Sequence, residues 1–175
     1  MTEDLRHPTG RVQFKANLTP IDRSNLIAAI AEVPANLRKA VANLNDTQLD
    51  TPYRPDGWTV RQVVHHVPDS HMNAFLRVKL ALTEDNPTIK PYQEALWANL
   101  PDAGLPIDAS LRLLEALTER WVALLTRIEG SQWSRTFHHP ESGRDFTLDE
   151  LLQIYAWHGR HHVGHITSLR ERSGW

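Results

Sequence analysis

Four of the ten histidines in this chain fall within nine residues: His158, His161, His162 and His165. Side chains four apart on a helix project from one face, one turn above the other, so His158 and His162 offer two imidazoles in the same direction. Such a pair is a common way for a helix to present two nitrogen ligands to one metal ion. On a helical wheel His158, His162 and His165 lie within about 60° of one another, and His161 sits at the edge about 60° from His158. Leu151, Ile154, Tyr155, Ile166 and Leu169 share that stripe. The histidines are thus expected on an apolar face, where each unpaired imidazole nitrogen costs about 1–3 kcal/mol. A metal ion would satisfy them, and so would carbonyls or water.

A second histidine-bearing run, Val64-His65-His66-Val67-Pro68-Asp69-Ser70-His71, aligns Gln62, His66, Asp69, Ser70, Asn73 and Arg77 in one helical stripe. By periodicity alone this stripe reads as a solvated face. Turned inward, it would add a third nitrogen ligand with a carboxylate, a hydroxyl and an amide beside it.

Composition narrows the chemistry. There is no cysteine among the 175 residues, which excludes disulfides, thiolate ligands and a cysteine nucleophile and leaves nitrogen and oxygen ligands. A net charge of −2 without a basic block gives no nucleic-acid surface. The start, Met1-Thr2-Glu3-Asp4, lacks the apolar run of a signal peptide. No segment approaches the roughly 20 apolar residues of a membrane span, so no membrane partner is expected and a cytoplasmic location follows by default.

The elements that must position these side chains are helical. After an irregular arm over residues 1–20, apolar spacing predicts a helix from Ile21 to Leu44 that Pro34 should kink or split. A turn-rich connection follows, through Gly57. Thr59 and Gln62 form a capping box for a helix running to Leu82, kinked at Pro68. A shorter helical piece is expected over Tyr92–Leu100. Asp108 can cap a third long helix that Gly130 would stop, and residues 131–146 read as a loop or short hairpin. Thr147 and Glu150 cap a last helix reaching Arg172. One domain over residues 1–175, an all-α four-helix bundle with a short extra helix and connecting loops, is the expected architecture.

Tyr53-Arg54-Pro55, the run from Gly57 to His66, and Asp69-Ser70-His71-Met72-Asn73 resemble the YfiT-like family of metal-dependent hydrolases in the DinB superfamily of four-helix bundles. Leu82-Thr83-Glu84-Asp85, Pro91-Tyr92, Trp97 and the closing Tyr155-Ala156-Trp157-His158-Gly159-Arg160-His161-His162 look the same way, from about residue 10 to Trp175. The resemblance selects His66, His158 and His162 as metal ligands and leaves His65, His161 and His165 as neighbours. It implies one divalent ion per subunit, zinc first and nickel as a fit to the same nitrogens, and a homodimer. Three imidazoles leave a position open for an activated water or a substrate. Asp69 could orient His66 or act as a base, and Tyr92, Trp97, Trp157, Arg160 and Asn73 could shape a pocket around a small-molecule substrate. The alternative activity is transfer of a low-molecular-weight thiol, supplied from outside, to an electrophile; a non-catalytic metal-binding bundle is the outsider. Two positions depart from the family pattern: Pro68, after His66, and Asp56, where glycine is frequent. His138-His139-Pro140-Glu141 reads as a surface loop that could approach the open side of the metal.

Overall fold

The computed structural model describes residues 4–175, so Met1, Thr2 and Glu3 of the acidic start lie outside the described residues. The first predicted helix is split in two, α1 (Pro20–Ala31) and α2 (Val33–Ala40). Pro34 is the cause: it has no N–H to continue the ladder, and it is instead tolerated in the first turn of α2. α2 ends at Ala40, short of the expected Leu44, and Asn43 follows in the left-handed region at φ 63°. The turn-rich connection holds a one-turn helix, α3 (Asp46–Leu49), closed by a reciprocal Asn45–Gln48 cap. Asp56 adopts φ 56°, a conformation that glycine takes freely and aspartate takes at modest cost.

α4 (Val60–Thr83) starts at the Thr59–Gln62 capping box and runs unbroken through Pro68. The expected short helical piece is α5 (Glu94–Trp97), followed by a 3₁₀ turn over Pro101–Gly104. α6 spans Asp108–Leu125. Asp108 is the first residue of that helix rather than its cap, which is Ile107, and its carboxylate pairs with Arg112 and Arg38 instead of a first-turn N–H. The helix stops before Gly130, which opens a 3₁₀ turn at φ 49°. The hairpin anticipated within residues 131–146 extends one residue further, pairing β1 (Thr136–His139) with β2 (Arg144–Thr147), Phe137 facing Phe146. α7 (Leu148–Ser173) begins at the Thr147–Glu150 box and ends at Gly174, φ 68°. No helix of the described residues is long and apolar enough to cross a membrane.

The four long pieces form a bundle in which the α1/α2 helix and α4 are diagonal, each packed against both α6 and α7. Arg23 pairs with Asp149, Val33 meets Gly159 and Arg170 reaches the Ala40 carbonyl, so α1/α2 runs parallel to α7. α4 runs antiparallel to α7 and parallel to α6, since His66 meets His158, His65 meets Ser110 and Arg120 covers the Phe75 ring. Parallel neighbours require a long return, and residues 84–107 supply it along the flank of α4.

Two apolar cores result. One holds Ile30, Phe75, Trp121, Leu152 and Ala156; the other holds Leu37, Val63, Val67, Leu114 and Ile166. Between them in chain position lie Ser70 and His71 on α4, Thr118 on α6, and His158 and His162 on α7, with His66 at the border of the second core, just before Val67. The bundle is divided by a polar layer.

Candidate metal centre

His66 is buried at 8% exposure because the α4 stripe read as a solvated face turns inward against α7. Its Nε2 stands 3.3 Å from His158 Nε2. One ligand atom from each of His66, His158 and His162 lies within 4.8 Å of the others, and this is the one such histidine or carboxylate group found among the described residues. The His158 and His162 rings meet edge to face at 4.4 Å between centroids, as expected of positions one turn apart. Trp58, the residue before the cap of α4, walls the site, 4.6 Å from the His66 ring and 6.5 Å from His162. Burial, the largest cause in each case, holds His66 down to about 4 and His158 and His162 well below an ordinary histidine. All three are therefore neutral at pH 7, the form whose lone pair binds a metal.

The donor set fits a divalent ion. Two nitrogens each about 2.0–2.1 Å from a tetrahedral ion stand about 3.3–3.4 Å apart, the separation seen between His66 and His158. Without an ion, one of these two nitrogens must carry the proton for the other to accept.

The neighbouring histidines are occupied elsewhere. His65 spends both nitrogens, Nδ1 on the Ser110 hydroxyl at 2.7 Å and Nε2 on the Leu105 carbonyl at 3.0 Å. His165 Nε2–H donates to the Arg6 carbonyl at 3.2 Å while its ring stacks on Tyr53. His161, expected at the edge of the stripe, is buried by the N-terminal arm and stacks on Trp157 at 4.3 Å, beside His7. That arm was legible only as irregular chain, and the burial it causes has no local signal.

The other named residues sit as follows. Asp69 is half-buried on α4, with no side-chain hydrogen bond among the described residues; burial first and Asp102 second push its carboxyl up to about 6. Asn73 donates to the Asp69 carbonyl. Tyr92 lies over α4 and packs on Trp97 at 4.6 Å. Trp157 donates to the Gly10 carbonyl and Arg160 to Ala156, both away from the centre. His138 pairs with Asp145 on the hairpin, and His139 sits beside Phe146. Two residues that the helical stripes aligned with the ligands, without a role of their own, also reach the centre: Ser70, four after His66, and Tyr155, three before His158. Ser70 Oγ is 3.3 Å from His158 Nε2 and 3.5 Å from the Tyr155 hydroxyl.

The family model of the DinB superfamily matches residues 29–166. The chain belongs to the DinB superfamily. Among its relatives is a Bacillus cereus protein named "Putative metal-dependent hydrolase", 55% identical over 172 residues, covering 98% of this chain and 99% of that one. A Bacillus mycoides protein of the same description is 53% identical over 173 residues, 99% of each chain. Among solved structures, YfiT from Bacillus subtilis aligns with a TM-score of 0.95 at 45% identity over 98% of both chains, and is described as "a probable metal-dependent hydrolase with an unusual four-helix bundle topology". The diagonal order of α1/α2 and α4 is the topology of this DinB chain, and its three-histidine cluster lies on α4 and α7, inside the segment that the family model covers.

Proposed function

We propose that this protein is a metal-dependent hydrolase whose ion is held by His66, His158 and His162. One observation carries the reading: three neutral imidazoles converge without a fourth protein ligand among the described residues. Structural sites close all four positions, whereas sites with three protein ligands keep one for chemistry. A divalent ion bound there supplies Lewis acidity, lowering the pKa of a coordinated water to about 7 and polarising a carbonyl. Zinc is the proposed ion, with nickel the second choice.

The chain's own residues supply the rest. Trp58 shields one side, and apolar cores flank the layer above and below. Asp69, with its carboxyl at about 6, titrates near neutrality and is the proposed proton acceptor from the attacking water. The matching donor set and the names of the relatives support hydrolysis.

The deciding experiment reconstitutes metal-free protein with zinc and, separately, nickel. Hydrolysis of an ester and amide series is assayed beside conjugation of a small thiol to an electrophile. Hydrolysis that depends on the ion and disappears in His66→Ala is expected. Hydrolysis surviving that substitution removes the reading, and thiol conjugation without hydrolysis replaces it with a transferase.

A further inference from the structure

The polar layer holds more oxygen than three metal ligands require. Ser70 from α4 lies beside His158 and the Tyr155 hydroxyl of α7, and Tyr92 from the long return hydrogen-bonds with Ser70. Ser70 is 4% exposed and Tyr155 6%. Neither Ser70 contact is a good bond: 3.3 Å to His158 Nε2 and 3.5 Å to Tyr155 compare with about 2.7–2.8 Å for an ordinary hydroxyl pair. A buried hydroxyl left half-satisfied costs about 1–3 kcal/mol, and the fold has no use for it there. An alanine at position 70 would simply join the cores on either side, next to Val67 and Ala74.

Metal chemistry sharpens the point. When His158 Nε2 gives its lone pair to an ion, it can no longer accept from Ser70. The serine proton must then find another acceptor next to that nitrogen. Ser70 O–H faces the Tyr155 hydroxyl at 3.5 Å; turning the hydroxyls so that the tyrosines donate to Ser70 Oγ leaves the serine O–H directed into the centre. Burial raises the Tyr92 phenol further above its ordinary value, so it stays a donor throughout the working pH range.

We propose that Ser70 is a catalytic residue of this centre, donating a hydrogen bond to the oxygen of a carbonyl or carboxylate group held beside His158 Nε2, with Tyr155 and Tyr92 as positioning residues. The proposal rests on the three-histidine metal reading and names its ligand class: uncharged esters or amides and the carboxylates they release. Ser70 keeps its proton and forms no covalent bond. It stabilises charge that grows on the acyl oxygen while water adds to the carbon and the leaving group departs with a proton.

Cobalt(II) is loaded into the full chain, and its visible spectrum is followed during titration with acetate. Wild type is expected to show a saturable spectral change. Ser70→Ala should keep cobalt affinity within about 2-fold and lose acetate affinity by about 10-fold or more. Ser70→Thr should restore acetate binding, and Tyr155→Phe should weaken it by about 3-fold. Acetate affinity unchanged in Ser70→Ala overturns the proposal. Parallel loss of cobalt does so too, because the serine then only supports His158, and so does a wild-type spectrum indifferent to acetate. The hydrolase reading fails separately: an acetate response that needs Ser70 in a protein without ester or amide hydrolysis removes the activity and leaves the hydroxyl in place.

Discussion

Each histidine here is defined by what its two nitrogens meet. His66, His158 and His162 point nitrogen at nitrogen, whereas His65 and His165 meet carbonyls contributed by the return and the arm. Replacing His66 or His162 with alanine should therefore cut zinc affinity by on the order of 100-fold or more, since loss of mere outer-sphere partners already costs about 10–100-fold. His65→Ala should leave it within about 3-fold. Isothermal titration of metal-free protein separates the two, and equal losses would dissolve the distinction drawn among these imidazoles. His71 is the odd member: it is fully buried, packs edge-on against Trp121, and neither ring nitrogen has a partner among the described residues. A leucine of similar volume should raise stability by about 1 kcal/mol in urea unfolding at neutral pH. A loss of that size instead would mean that water in the layer satisfies His71.

Among the elements, two glycines on α7 decide how closely its neighbours approach. A Cβ at Gly159 would overlap the Val33 methyls, where α2 crosses beside the metal layer. Gly159→Ala should cost about 1–3 kcal/mol by overpacking a fixed contact. A Cβ at Gly164 would stand 2.8 Å from Thr9 Cγ2 and 3.3 Å from Pro8 Cγ, both on the arm. Gly164→Ala should leave the melting temperature within a few degrees yet speed protease cleavage around residues 6–10, and protection equal to wild type would show that the arm yields without detaching. This division marks what sequence could and could not reveal. The helices were legible because Thr59–Gln62 and Thr147–Glu150 satisfy their own first turns locally, and Pro34 breaks its helix locally. The histidine pair was legible from its spacing of four. Choosing it over His165 needed Arg6, which lies 159 positions away, and seeing His66 inward needed the diagonal packing of α4. Contacts of that range leave no periodic trace.

At the scale of the whole molecule, a neutral polar layer between two apolar cores ties stability to pH and to metal. Burial holds His66 at about 4 and His71 at about 3 in the folded protein, while unfolded imidazoles titrate at about 6.5. Between those values the unfolded chain binds protons that the folded chain refuses. Stability is therefore full above about pH 6.5 and falls as pH drops toward 4, by about 1.4 kcal/mol per pH unit for each such histidine. Asp69 runs the other way. Its carboxyl sits at about 6 when folded, against about 3.9 for an unfolded aspartate. The folded chain therefore takes up that proton first, and acidification through this window favours folding, an opposing effect reduced by the solvent that reaches this half-buried group. His66, His71, His158 and His162, all lowered first by burial, outnumber it. Urea unfolding of metal-free protein from about pH 7.5 down to about pH 4.5 should thus show a steep net loss. Zinc at about 100 times its dissociation constant should add about 2.7 kcal/mol at the upper end. That increment should vanish on acidification, because protons and zinc compete for the same lone pairs. A metal-free protein equally stable across this range would mean that the layer takes up protons without unfolding, and that the neutral imidazoles on which the metal centre depends are not enforced by the bundle around them.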